Sequence, residues 1–129
     1  MNSFAANAYS ATQSQTAVVD ASPHRQIALL LNTALDRISQ AKGAIEQGDL
    51  AVKAKCIGKT IDILSALQGW LDMEQGGEIA KNLDALYDYM IRTMHAGNIH
   101  NDISKLNEVA ALLSEIKSGW DGIAEQAAG

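Results

Sequence analysis

Apolar residues recur at helical spacing in four successive segments of this chain. In the first segment they follow at intervals of four, three, four, three and four residues, at Ile27, Leu31, Ala34, Ile38, Ala41 and Ile45. Such intervals place one apolar stripe along a helix. Ser22 and Pro23 supply a start, because serine caps free backbone N–H groups and proline loses no hydrogen bond at the first helical position. Gly48 supplies a stop, since glycine takes the left-handed conformation that ends many helices.

The second segment has a wider apolar surface than the first. Asp49 is a suitable N-cap, and we predict a helix from there to about Met73. One stripe contains Leu50, Ile57, Ile61, Leu64 and Leu71, and a second contains Val52, Cys56, Ile63, Leu67 and Trp70. Together the two stripes exceed the apolar face of an ordinary surface helix. Either several neighbours surround this helix, or part of its surface is reserved for a partner.

Two further helices follow, each preceded by a break in the apolar pattern. The pair Gly76-Gly77 precedes a third helix, which we expect to end at Gly97-Asn98. Its apolar residues are Ile79, Leu83, Leu86, Met90 and Met94. The pair Asn101-Asp102 can cap a fourth helix, whose seam is formed by Leu106, Val109, Leu113, Ile116, Trp120 and Ile123. The alternating intervals of three and four residues in this seam are typical of helix bundles.

The four segments predict an all-α fold. The chain has a single proline, Pro23, and no stretch alternates apolar and polar residues long enough to predict a strand. Short loops favour antiparallel neighbours, so we predict an antiparallel four-helix bundle over residues 21–124. Residues 1–20 are rich in small and polar side chains, and we expect a loosely held N-terminal arm or short helix there. Residues 125–129 are predicted to form a flexible tail.

Composition and charge exclude several classes of function. The net charge is −5, the pI is about 5.0 and the basic residues form no run, which argues against binding to nucleic acid. The single cysteine, Cys56, cannot form an internal disulfide and fits a reducing compartment. No targeting segment is visible, and the longest apolar runs are far shorter than a membrane span. We therefore expect a soluble, cytoplasmic protein that does not insert into a membrane.

The sequence contains no candidate catalytic or metal site. None of the glutamates has a histidine three residues later, as ferritin-like metal sites require, and no zinc or haem attachment motif occurs. His95 and His100 are expected on either side of the helix stop at Gly97, and His24 is expected to be exposed and without a special role. Cys56 is expected to be a buried, inert thiol. We predict no enzyme activity, no metal and no cofactor.

Binding of a partner is the function that the apolar pattern favours. Leu29 lies opposite the stripe of the first helix, and Tyr89 projects away from the stripe of the third. Each of them alone, like each of Ile63, Leu67 and Trp70 in the second stripe of the second helix, is better explained by packing against the arm or a neighbouring helix. Together with the extra stripe of the second helix, they suggest a groove for an amphipathic helical peptide, covered in the free protein. The same surface would suit a homodimer, so monomer and homodimer both remain open.

Several short motifs follow one another over about residues 7–123. Among them are Ala21-Ser22-Pro23, Gly48-Asp49, Leu71-Asp72, Gly76-Gly77-Glu78-Ile79-Ala80, Leu86-Tyr87-Asp88-Tyr89-Met90, Glu108-Val109, Leu112-Leu113 and Trp120. Each of them could be helix punctuation, but their order and spacing resemble those of the flagellin-specific export chaperones, the FliS-type family. The chain departs from that family at Leu31-Asn32-Thr33, where an aromatic residue is often present.

The resemblance implies a cytoplasmic chaperone that binds the disordered C-terminal segment of flagellin. Such a chaperone prevents premature polymerisation and helps deliver its client to the flagellar type III export gate, and its N-terminal arm covers part of the client surface. We predict partner contacts at Tyr9, Leu29, Leu30, Ile63, Leu67, Trp70, Tyr89 and Met90. Tyr9 is the expected removable cover, whereas Tyr87 is expected to be structural. The alternatives are a helical adaptor or dimerisation module for another secretion substrate or regulator, and a ligand- or metal-binding bundle enzyme.

Overall fold

The computed structural model describes residues 22–128, with side chains described for residues 22–123. This part of the chain forms four helices: α1 (Pro23–Gln47), α2 (Leu50–Gly69), α3 (Gly77–His100) and α4 (Ile103–Ala128). Each helix packs against the next one along the chain, and α4 packs back against α1. The connections are short, so neighbouring helices run antiparallel, and the predicted all-α antiparallel bundle is confirmed. The predicted arm, residues 1–20, lies outside the described residues.

One apolar core runs through the bundle. The predicted stripe of α1 is almost entirely buried, as is the seam of α4 at Leu106, Val109 and Leu113. Ile116 and Ile123 lie at the edge of the core and are partly buried against it. Removal of these side chains from water supplies the main stabilising free energy of such a bundle. In the described part of the chain, no helix combines the length and apolar character needed to cross a bilayer.

The N-caps of α1 and α2, and the turn that connects the two helices, are those that the sequence predicts. The side chain of Ser22 accepts a hydrogen bond from the backbone N–H three residues later, at 3.2 Å, and Pro23 follows in the first turn of α1. Asp49 caps α2 in the same way, at 3.1 Å. Between them, Gly48 has a φ of 73°, the left-handed conformation that suits glycine. The predicted end of α2 at about Met73 is wrong, because the helix ends at Gly69 and the chain then turns toward α3.

The predicted stop of the third helix at Gly97 is also wrong. α3 continues to His100 and ends at Asn101, which has a φ of 51°. Gly97 is a packing residue instead, because a Cβ at this position would lie only 2.5 Å from Cδ1 of Leu106 in α4. His95 therefore lies within the same helix as His100, rather than across a break from it, and both residues are exposed.

Asp102 caps α4, as its position after the α3 break predicts. Its Oδ1 accepts hydrogen bonds from the backbone N–H of Ser104, at 2.9 Å, and from the Ser104 hydroxyl, at 2.6 Å. The hydroxyl contact is the main cause of a lowered pKa of the Asp102 carboxyl group, because it stabilises the charged form. Only two residues, Asn101 and Asp102, separate α3 from α4, which brings the two helices together at this end of the bundle.

Candidate partner-binding surface

The structure separates the predicted partner contacts into three groups. Leu29 and Tyr89 are exposed, by 47% and 40%. Leu30 and Trp70 are half-buried and pack against the edge of the core. The buried group comprises Ile63, Leu67 and Met90. Tyr9 lies outside the described residues. The set therefore forms no continuous exposed groove in this conformation, although its exposed members are the two that project away from their helical stripes.

The wide apolar surface of α2 is used within the bundle. This helix packs against both α1 and α3, and Cys56, Ile63 and Leu67 of its second stripe belong to the core. Of the two explanations that the sequence left open, several neighbours account for most of this stripe. Val52, at its beginning, is the member that remains exposed. The surface available to a partner is therefore narrower than two full stripes of α2.

Leu29 offers apolar surface on the outside of α1. It lies away from the buried stripe of that helix, and its backbone carbonyl accepts a hydrogen bond from the Thr33 hydroxyl at 2.9 Å. The next residue, Leu30, turns partly inward and packs on the core. Leu29 is therefore exposed while Leu30 packs on the core, because successive helical residues point in directions about 100° apart. Leu29 can contact a partner without any change in the bundle.

Tyr89 combines an exposed ring with a fixed hydroxyl group. The hydroxyl donates a hydrogen bond to Glu108 of α4, and the guanidinium of Arg92 lies 5.9 Å from the ring centroid. The hydrogen bond to Glu108 is the main cause of a raised pKa of Tyr89, since it favours the neutral phenol. The backbone carbonyl of Tyr89 accepts a further hydrogen bond from Thr93, at 2.7 Å. These contacts hold the ring at the surface of α3, where part of it remains open to solvent.

The structure also exposes apolar residues that the sequence reasoning did not assign to a partner. They lie near helix ends, at Leu50, Val52, Met73, Ile79 and Ile99. Ile99 has the highest exposure among them, at 74%. Leu50, Val52 and Ile79 belong to predicted apolar stripes, but periodicity did not show that they remain exposed, because it does not show where a helix extends past its neighbours. The expected stop at Gly97 also placed Ile99 in a turn instead of in the last turn of α3.

His24 is not the unremarkable exposed residue that the sequence suggested. Its ring is half-buried and stacks on the indole of Trp120 in α4, with the ring centroids 4.4 Å apart and the planes 4° from parallel. The indole Nε1 donates to the His24 backbone carbonyl at 2.8 Å, and His24 Nε2 lies 2.7 Å from the Trp120 carbonyl oxygen. This paired contact, which we call the His24–Trp120 stack, joins the start of α1 to α4.

The described residues hold no arrangement that suggests catalysis or metal binding. Within residues 22–123, no group of three histidine, cysteine, aspartate or glutamate side chains could hold a metal ion. Cys56 is buried, as predicted, and its Sγ lies 3.7 Å from Oε1 of Gln40. The described residues therefore present exposed apolar and aromatic side chains on the surface of a well-packed helical bundle.

Comparison with known proteins gives one consistent match. The family model described as flagellar protein FliS matches residues 5–127. The flagellar secretion chaperone FliSB of Pseudomonas aeruginosa is 50% identical over 115 residues, which are 89% of this chain and 91% of that protein. The flagellar secretion chaperone FliS of Vibrio cholerae is 45% identical over 103 residues, 80% of this chain and 76% of its own length. The flagellar secretion chaperone FliS of Salmonella typhimurium is 41% identical over 121 residues, which are 93% of this chain and 90% of that protein.

Proposed function

This chain belongs to the FliS family of flagellar secretion chaperones, and we propose that it binds the C-terminal segment of flagellin and keeps it ready for export. The observation that carries the proposal is the family match along nearly the whole chain. We propose further that binding takes place in the cytoplasm, prevents premature polymerisation, and delivers the client to a component of the flagellar export gate. The protein acts as a chaperone and not as an enzyme.

The bundle supports this function by offering a folded surface to a disordered client. Leu29 on α1 and Tyr89 on α3 are accessible as the structure stands, and they serve as the first contacts. A disordered segment that folds onto such a surface loses much of its binding energy to ordering. The complex is therefore specific and still releasable, which a client destined for export requires.

The buried members of the predicted site would contact the client only after it has bound to Leu29 and Tyr89. Ile63, Leu67 and Met90 can meet a client only if neighbouring helices move apart, because all three lie in the core. Leu30 and Trp70, which are half-buried, need smaller movements. We propose that Tyr9 and the arm, residues 1–20, cover part of this surface until the client replaces them.

Titration calorimetry with the C-terminal segment of a cognate flagellin tests the proposal. The titration is repeated at several temperatures, and circular dichroism is recorded on the mixture and on each component. We expect saturable binding with a negative heat-capacity change and a gain in helicity, because the client folds as it buries apolar surface. A peptide with the same composition in scrambled order is the matched control.

The outcomes of the titration distinguish specific recognition of the flagellin segment from non-specific binding of any apolar peptide. Binding of the flagellin segment alone supports the proposal. If the flagellin segment fails to bind to chaperone that is folded by circular dichroism, the proposed client is wrong. Equal binding of the scrambled peptide contradicts specific recognition in the same way. Sedimentation analysis of the free chaperone, in the same buffer, distinguishes the monomer from the homodimer.

A further inference from the structure

An open groove of about 670 Å³ runs along the outside of α1 and α2. Its walls include Arg37 and Gln40 of α1, and Lys55, Gly58 and Lys59 of α2. None of the predicted flagellin contacts lines it. We call it the α1–α2 groove. It requires a separate explanation, because neither the apolar core nor the proposed client surface uses these side chains.

The α1–α2 groove is basic in a chain that is acidic overall. Arg37, Lys55 and Lys59 line it with a single carboxylate, Asp62, whereas the whole chain has a net charge of −5. Among the side chains of residues 22–123, none of these three cations takes part in an ion pair. Three cations against one carboxylate leave an excess of positive charge at the groove, so an anionic partner is the expected occupant.

The positions of the cations follow from one contact between the helices. Sγ of Cys56 lies 3.7 Å from Oε1 of Gln40, which fixes the register of α1 against α2. The two helices are antiparallel, so one turn further along the groove Arg37 and Lys59 lie across from each other. Lys55 lies one turn from Lys59 on the same helix. A partner with anionic groups one helical turn apart would match this spacing.

Arg37 is held in place and is short of one hydrogen bond. A terminal nitrogen donates to Oε1 of Gln40 at 3.3 Å, which orients the guanidinium. Nε of Arg37 is a buried nitrogen without a hydrogen-bond partner among the described residues. A desolvated donor without a partner is unfavourable. Because this nitrogen is buried, a carboxylate in the groove would accept hydrogen bonds from the two terminal nitrogens of Arg37 instead, in the end-on geometry.

Gly58 leaves room for a polypeptide backbone at the groove. It lies in the middle of α2 and is exposed, and a Cβ built on it meets no heavy atom within 4 Å. Glycine weakens a helix interior relative to alanine, and the packing of this bundle gives no reason for it here. Close approach of a partner backbone supplies one.

We propose that the α1–α2 groove binds an acidic helical segment of a protein partner, through carboxylates spaced one turn apart, at a site separate from the flagellin surface. A single small anion would be contacted by one of the cations, but it would leave the others unpaired. An acidic helix places carboxylates four residues apart on one face and pairs with all three.

Fluorescence anisotropy with a designed peptide tests this site. The probe is a labelled alanine-based helical peptide with glutamates four residues apart, and its control has glutamine at the same positions. The test variant is Arg37→Gln with Lys59→Gln. The matched control variant is Arg25→Gln with Lys81→Gln, which changes the net charge equally at exposed positions away from the groove. A third variant, Gly58→Leu, places a side chain in the groove from a position where a Cβ meets no heavy atom within 4 Å.

We expect the glutamate peptide to bind and the glutamine peptide not to bind. The groove double variant and Gly58→Leu should each weaken binding at least tenfold, while the control double variant stays within twofold. Both double variants should melt like the parent chain, and Gly58→Leu should melt no lower because it gains helix propensity. All three should bind the flagellin segment unchanged. Equal binding of the two peptides, or equal loss in both double variants, would overturn the proposal. Displacement of the peptide by millimolar inorganic phosphate would overturn it in favour of a small-anion site.

Discussion

Gly97 shows how a single absent methyl group sets the distance between two helices. A Cβ at this position would lie 2.5 Å from Cδ1 of Leu106, so this fully buried side chain would have to shift. Overpacking of a core typically destabilises by about 1–3 kcal/mol, and the helix propensity of alanine recovers up to about 1 kcal/mol. On balance we expect Gly97→Ala to lower the free energy of unfolding, by up to about 3 kcal/mol, as measured by urea denaturation.

The matched control for this prediction is Gly43→Ala. A Cβ at Gly43, in the middle of α1, meets nothing within 4 Å, so this substitution gains helix propensity without a clash. We expect it to stabilise the chain by up to about 1 kcal/mol. If both substitutions changed stability in the same direction, close packing would not be the reason for glycine at position 97.

Tyr89 tests the client surface at the scale of one side chain. We expect Tyr89→Asp to weaken flagellin binding at least tenfold, because it removes the exposed ring and places a carboxylate near Glu108. Helicity and melting temperature should change little, since the side chain is 40% exposed. Tyr89→Phe is the control, which loses the hydrogen bond to Glu108 but keeps the ring. Calorimetry and thermal melting of both variants check this, and unchanged affinity of Tyr89→Asp would remove Tyr89 from the site.

Helix ends show which parts of the fold can be predicted from local sequence. Ser22, Asp49 and Asp102 cap their helices through contacts two or three residues away, so the sequence alone identifies them. Gly97 could not be assigned in this way. Glycine serves equally as a helix stop and as a site of close packing, and the choice depends on Leu106 in another helix.

The end of α3 depends on a lysine from α2. Lys53 is 8% exposed, and its Nζ donates to the Asn98 carbonyl at 2.9 Å and to Oδ1 of Asn101 at 2.6 Å. An ammonium group at the C-terminus of a helix satisfies free carbonyls and interacts favourably with the helix dipole. Lys53 therefore stabilises both the last turn of α3 and its junction with α2.

We expect Lys53→Met to lower the free energy of unfolding by about 1.5–3 kcal/mol, because hydrogen bonds to a charged group are lost inside the structure. Lys55→Met, on the exposed side of the same helix, should change it by less than about 0.5 kcal/mol. Urea denaturation gives both values. Equal effects of the two substitutions would contradict a specific role of Lys53, and faster hydrogen exchange confined to the end of α3 would locate that role.

At the scale of the whole molecule, the number of neighbours decides which apolar surface remains free. The sequence correctly predicted that Leu29 and Tyr89 project away from their stripes, because this follows from the geometry of one helix. It assigned Ile63, Leu67 and Met90 to the partner surface although packing was also open for them, because their burial depends on how the helices surround them. The exposure of Ile99 at a bundle end has the same origin. Periodicity defines a face of a helix, whereas assembly of the bundle determines what covers that face.

The His24–Trp120 stack closes the ring of helices between the first and the last element. Trp120→Phe deletes the hydrogen bond to the His24 carbonyl, and His24→Ala removes the stacked ring. Aromatic pairs add about 0.5–1.5 kcal/mol beyond their buried area, so we expect each variant to be less stable and the two effects to be less than additive. Hydrogen exchange should rise at the start of α1 and near Trp120 in α4, but not in α2 or in the middle of α3.

This pattern would show that the contact between the first and the last helix opens as a unit while the remaining bundle stays closed. It would also give the free energy needed to release the end of α1 from which residues 1–21 continue. A uniform rise in exchange over all four helices would instead show that the stack contributes only to global stability. Fully additive effects in the double variant would show that the two rings do not stabilise each other.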